Sequence, residues 1–121
     1  MKYENLYKMF KEKLPEGQNF FEIKEKEYLI DETDGIHVIF GMIIVPYILH
    51  IVQNKKMSET NKIFSFLENM AMCADIKVNE VLDFTVLEQL VDEGHDILEE
   101  CKRYMGVNTL KHCEEVEKYF L

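Results

Sequence analysis

The segment IHVIFGMIIVPYILHIV, residues 36–52, sets the fold class of this chain. Its 17 residues include no Asp, Glu, Lys or Arg, and only His37, Gly41, Pro46 and His50 interrupt the apolar pattern. That length stands at the lower limit for a membrane-spanning helix. A helix that is apolar nearly all round is also what the centre of a helical domain requires. The β-branched Ile and Val would suit a buried strand as well, but the length favours a helix, and Pro46 predicts a kink or a short break. A buried central helix is expected, with a membrane span as the alternative.

On the N-terminal side, Tyr3, Leu6, Tyr7, Phe10 and Leu14 recur at helical spacing, and Pro15-Glu16-Gly17 ends that segment. The opening stretch is amphipathic and mixed in charge, without the apolar centre of a signal peptide. Phe20, Phe21, Ile23, Tyr28 and Leu29 suggest a second helix, and Asp31 to Asp34 offer capping oxygens for the apolar segment. On the C-terminal side, Ser58 is the expected cap of a helix carrying Ile63, Phe64, Leu67, Met70, Ala71 and Ala74. Val78, Val81 and Leu82, then Val86, Leu87, Leu90 and Val91, form further stripes, with a break expected at Phe84-Thr85 and a stop at Gly94. Ile97, Leu98, Cys101, Tyr104 and Met105 precede Gly106, where a left-handed C-terminal cap is expected. Asn108 or Thr109 caps a last helix whose Leu110, Cys113, Val116 and Phe120 point inward. The expected fold is all-α: one domain over residues 1–121, an irregular bundle or short repeat-like array of six to eight helices.

The bulk composition agrees. A chain of 121 residues with 47% hydrophobic and 31% charged side chains is long enough for one core. Only 5 Gly and 2 Pro are available for turns, too few for a many-stranded sandwich. The net charge of -9 disfavours nucleic acid and anionic membrane and suits a basic protein partner. Cys73, Cys101 and Cys113 form an odd set without a CxxC pair, so free thiols in a reducing cytoplasm are expected.

The charge is unevenly placed. Glu80, Asp83, Glu88, Asp92, Glu93, Asp96, Glu99 and Glu100 fall between residues 78 and 101, a stretch with no Lys or Arg, whereas residues 35–56 hold no acid at all. These eight carboxylates are either a solvated face or a docking surface for a basic protein, where complementary charge speeds encounter and fixes register. Tyr104 and Tyr119 are the aromatic candidates for an interface anchor.

Catalytic and metal-binding motifs are weak. His95, Asp96, Glu99 and Glu100, with His112 from the next helix, lack HExxH or repeated ExxH spacing. Cys101 and Cys113 lie on apolar faces, where a small buried hydrophobe is the usual role. No Gly-rich phosphate loop and no GxSxG elbow occur. Neither a cofactor nor turnover is expected.

KIFSFLENMAMCADIKVNEVLDFTVLEQLVDEG, followed by CKRYMGVNTLKHCEEVEKYF, resembles a group of small helical bacterial immunity proteins from contact-dependent growth-inhibition and polymorphic-toxin systems. The positions that carry the resemblance are Phe66, Leu67 and Glu68, then Val86, Leu87, Glu88 and Leu90, and finally Tyr104, Met105 and Gly106. It covers the C-terminal half and brings over no catalytic residue. It implies an immunity protein (an antitoxin) that binds a cognate toxin domain stoichiometrically and blocks its active site or substrate groove. The alternative is a helical adaptor or regulatory module for an endogenous partner, which the residues themselves fit equally well.

Overall fold

A long helix with apolar side chains on most of its faces must be covered from several directions, and that requirement organises this molecule. The computed structural model describes residues 1–119; Phe120, expected to point inward, lies outside them. Among the described residues there are seven helices and no strand. After a 3-10 turn at Tyr3–Asn5 comes α1 (Leu6–Lys13), and after a second at Pro15–Gly17 comes α2 (Gln18–Tyr28). The central rod α3 runs Ile36–Gln53. It is followed by α4 (Met57–Met72), α5 (residues 76–92), α6 (His95–Lys102) and α7 (Val107–Glu117).

Helices α1, α2, α4 and the middle of α5 pack around α3. Ile39, Phe40, Ile43, Ile44, Tyr47 and Ile48 of α3 are thereby sealed in the core, while Val38 and Met42 remain at the surface. The rod is long and apolar enough to cross a membrane, with a mean hydropathy of 1.9, and 56% of it is buried inside the fold. Phe10 is the hub of an aromatic cluster, with edge contacts to Phe21, Phe40, Tyr47 and Phe66 at 5.2–6.2 Å between centroids. Such contacts add about 0.5–1.5 kcal/mol each beyond area burial. Tyr7 donates its hydroxyl to Glu25 at 2.6 Å and so ties α1 to α2.

At both places where an irregularity is expected, a kink or short break at Pro46 and a break at Phe84-Thr85, the helix continues. Wide π turns within the continuous helices stand at or just before them instead. In α3 the Val45 N–H reaches back to the Phe40 carbonyl, five residues earlier. Pro46 then stands in the opening turn of the Val45–Gln53 segment, where a missing N–H is tolerated. In α5 the Glu88 N–H bonds to the Asp83 carbonyl across Phe84-Thr85. The extra residue in that turn lets Thr85, Val86 and Leu87 all be buried in succession, which a regular 3.6-residue helix does poorly. The two π segments face each other, and His37 Nδ1 and Thr85 Oγ1 lie 2.6 Å apart in a hydrogen bond across the crossing.

Several caps also differ from expectation. Ser58 is in the first turn of α4, whose N-cap is Lys56 with no side-chain bond. Asp31 and Asp34 close their own turn, the Asp34 carboxylate accepting the Asp31 N–H at 2.9 Å, and Gly35 takes the N-cap of α3. Gly94 does stop α5, with φ +116°, a conformation that only glycine adopts freely. Gly106 is not left-handed (φ −70°, ψ 170°) and begins α7 instead of ending α6.

The start of α7 is capped by a residue 40 positions away. Glu68 of α4 accepts hydrogen bonds from the Asn108 N–H at 3.1 Å and the Thr109 N–H at 2.8 Å, and from both of their side chains. Asn108 and Thr109, expected as caps, are thus donors to the cap. A Cβ on Gly106 would stand 2.4 Å from Glu68 Cδ, so glycine is what allows the carboxylate to reach the helix. Burial pushes the Glu68 carboxyl up, but the four donors outweigh it and hold the pKa at about 2.

Because that folded pKa lies below the unfolded value, the stabilisation is complete above about pH 4.5 and is lost as pH falls through about 2. Glu68→Gln is expected to lower stability at pH 7 by about 1–2 kcal/mol, allowing for solvent screening at a half-buried site. The gap from wild type should close as urea melts are repeated between pH 4.5 and pH 2.5. Gly106→Ala, which displaces the carboxylate, should reproduce the loss at pH 7. A gap that does not change with pH would mean that the charge of Glu68 is not what caps α7.

Candidate partner-binding cleft

A cleft of about 510 Å³ opens where α7 packs against α5, between the π turn of α5 and the outer face of α7. Asp83, Phe84 and Glu88 line it from α5, and Glu115, Val116 and Tyr119 line it from α7 and the turn after it. The π turn is the reason Phe84 is here. With Leu82, Thr85, Val86 and Leu87 all turned into the core, Phe84 is forced outward and is 61% exposed. Tyr119 opposite is 85% exposed. The lining combines two exposed aromatics with three carboxylates and holds no Lys or Arg.

The carboxylates differ in what holds them. Asp83 is bonded to His112 Nδ1 at 2.7 Å, with both side chains about a quarter exposed. Glu115 pairs with Lys118, just after the end of its helix, at 2.9 Å, an exposed pair of small net worth. Glu88 is exposed and has no ion-pair partner among the described residues. A hollow beside the cleft, lined by Asp83, Lys111, His112 and Glu115, carries the adjoining basic side chain.

The eight acids are held in different local settings. Asp83 and Glu88 reach the cleft, and Glu80 is half-buried one turn before Asp83. Glu93 and Asp96 lie on the α5–α6 turn around Gly94, with Asp92 next to them, all exposed. Glu99 is 3.6 Å from Lys102, which is held more closely by Glu117 at 2.6 Å. Glu100 bonds to Arg103 at 3.1 Å and accepts the Tyr104 hydroxyl at 3.2 Å. Tyr104 packs on Phe64 of α4, so of the two tyrosines only Tyr119 is presented for an anchor. Sequence reasoning missed Glu115, Phe84 and Val116 as site residues. Phe84 stood at an expected break, and nothing in sequence spacing joins Glu88 to Glu115 on a helix 27 positions later.

Asp83 orients the His112 ring, as a carboxylate does beside a general base, but no Ser, Thr or Cys lines the cleft to act as nucleophile. Among the described residues no three His, Cys, Asp or Glu side chains are grouped to hold a metal ion. His112, weighed with His95 as a ligand, has Asp83 as its hydrogen-bond partner.

The thiols are set apart from this cleft. Cys101 and Cys113 are buried, and burial pushes both up to about 12, reinforced by Glu100 and Glu117 respectively. Cys73 is partly exposed. In the native protein at pH 8, an excess of an aromatic disulfide reagent is expected to label Cys73 rapidly, and Cys101 and Cys113 only on unfolding. Fast native labelling of Cys113, mapped by peptide mass, would contradict the inert packing role.

A family profile described as Domain of unknown function (DUF7674) matches residues 7–120. No curated protein matches the chain. Nor does any solved structure. The match runs from α1 through α7, so the central rod, the Glu68 cap and the acidic cleft all fall within it, and the chain belongs to the DUF7674 family.

Proposed function

We propose that this chain is a non-catalytic binding module whose acidic cleft receives a basic protein segment. The observation that carries the reading is the cleft lining: Glu88, Asp83 and Glu115 around exposed Phe84 and Tyr119, without Lys or Arg. A partner that inserts an apolar side chain against Phe84 and places Lys or Arg beside Glu88 buries aromatic surface and neutralises an uncompensated charge together. The specific form proposed is an immunity protein that occludes a basic toxin domain one-to-one in the cytoplasm. Its support is the resemblance over the C-terminal half, including Glu68 and Gly106, and the three free thiols, which suit a reducing compartment.

The test is to express any C-terminal toxin domain encoded beside this chain's gene with and without this chain; the lack of such a gene would count against the immunity form. Rescue of growth and a one-to-one complex are expected. Association of the purified pair should slow as salt rises, most steeply where the screening length exceeds about 8 Å. Glu88→Lys combined with Phe84→Ala is expected to cut the association rate about tenfold or more. Reversal of Asp92, Glu93, Asp96 and Glu99 to Lys probes the α5–α6 turn as the competing surface. If only this second variant fails to bind, the interface is the turn and not the cleft. Absence of rescue with retained binding to an endogenous protein would replace the immunity reading with the adaptor.

A further inference from the structure

Asp83 and Glu115 line two adjoining hollows at once. One is the acidic cleft, and the other, about 310 Å³, is completed by Lys111 and His112. A basic segment in the cleft and the side chains of the second hollow therefore draw on the same two carboxylates. Glu115 is exposed, and its pairing with Lys118 is screened by water. Asp83 is only about a quarter exposed, and His112 Nδ1, at 2.7 Å, is its hydrogen-bond partner among the described residues. Whatever charge His112 carries thus acts on a wall of the cleft through a contact partly shielded from water.

The charged neighbours of His112 come from four helices. From α5 it faces Asp83, with Glu80 one turn before and Glu88 in the cleft beyond. On α7 itself Lys111 and Glu115 flank it in the hollow, and Glu117 is held by Lys102 of α6 at 2.6 Å. From α4, Glu68 reaches the first turn of α7 and is engaged there by Asn108 and Thr109. Carboxylates as a class titrate below pH 5 and lysines above pH 8, so imidazole is the group in this set whose charge changes between those limits. A neutral His112 donates Nδ1–H to Asp83 and leaves the full negative charge of the carboxylate to the cleft. A protonated ring places a positive charge against that carboxylate and offsets it. A partner Lys or Arg beside Glu88 then meets a weaker negative potential. By linkage the effect is reciprocal: a docked cation makes His112 harder to protonate.

We infer that His112 gates the acidic cleft by pH: the neutral ring leaves Asp83 to a basic protein segment, and the protonated ring takes Asp83 for itself and weakens docking. This rests on the reading of the cleft as a site for such a segment. The test titrates the full chain with the capped pentapeptide Arg-Leu-Lys-Leu-Arg at low ionic strength, followed by NMR at pH 7.5 and pH 5.5. Saturable shifts at Phe84, Glu88 and Tyr119 place the peptide in the cleft. Its affinity is expected to fall about threefold to fivefold between the two pH values, the size of a single added charge one side chain away in a wet site. His112→Asn keeps a neutral N–H donor for Asp83 and should remove that fall, whereas His95→Asn, on the α5–α6 turn, should retain it. In the wild type, saturating peptide should move the midpoint of the His112 ring titration to lower pH, a readout that a merely structural histidine would not give and that needs no variant to fold. Peptide bound in the cleft with the same pH dependence in wild type and His112→Asn, or with an unmoved ring titration, would overturn the gate and leave the docking reading standing. Absence of cleft shifts at both pH values would overturn the docking reading and the gate with it.

Discussion

The rest of the structure follows from the need to cover α3. An 18-residue helix without a single Asp, Glu, Lys or Arg needs cover over most of its apolar surface, and only an edge with His37, Val38, Met42 and His50, together with the terminal Gln53, stays exposed. Four other helices close around it, each offering one apolar stripe, and the charged residues are expelled to their outer faces. Burial of the side chains of α3 is worth roughly 1.5–3 kcal/mol for each large aliphatic or aromatic residue, far more than any single polar contact described here. The polar contacts decide shape. Burial decides that there is a shape.

Covering a rod so fully imposes local distortions, and the π turns are the visible ones. In α3 the wide turn precedes Pro46, and in α5 it turns three consecutive residues inward where the two rods cross. The second distortion has a consequence at the surface, since the residue displaced outward is Phe84, the aromatic floor of the acidic cleft. The opposite wall depends on an independent device, the Glu68 carboxylate that holds the first turn of α7 through Asn108 and Thr109. A charge-assisted cap from a neighbouring helix sets position more firmly than a local Ser or Asp cap, because it fixes α7 relative to α4 as well as ending the helix. The candidate cleft is therefore built from two features that carry no chemistry of their own.

Family membership places these features in a common frame but leaves function to the sites. The two hollows that meet at Asp83 and Glu115 differ in kind. One is open, aromatic and acidic, suited to a protein segment, and the other carries Lys111 and His112. Both depend on α7 being held against α5.

Composition and periodicity were sufficient for the all-helical class, the single core, the burial of much of Ile36–Gln53 and the stop at Gly94, because each depends on spacing within one segment or on bulk burial. The same reasoning located irregularities at Pro46 and Phe84 but not their π form, since a π turn is chosen by what packs against the helix rather than by its own residues. It read Gly106 as a C-cap because glycine after a helix usually is one, whereas here the glycine clears a path for Glu68, 38 residues earlier. It grouped the eight acids because they are neighbours in the chain, and it had no means of adding Glu115, which lies outside the run and lines the cleft with Asp83 and Glu88. Local hydrogen bonding and hydrophobic spacing are written along the sequence. Which side chains from different helices meet is a property of how the rods cross, and that was decided only when α3 was buried.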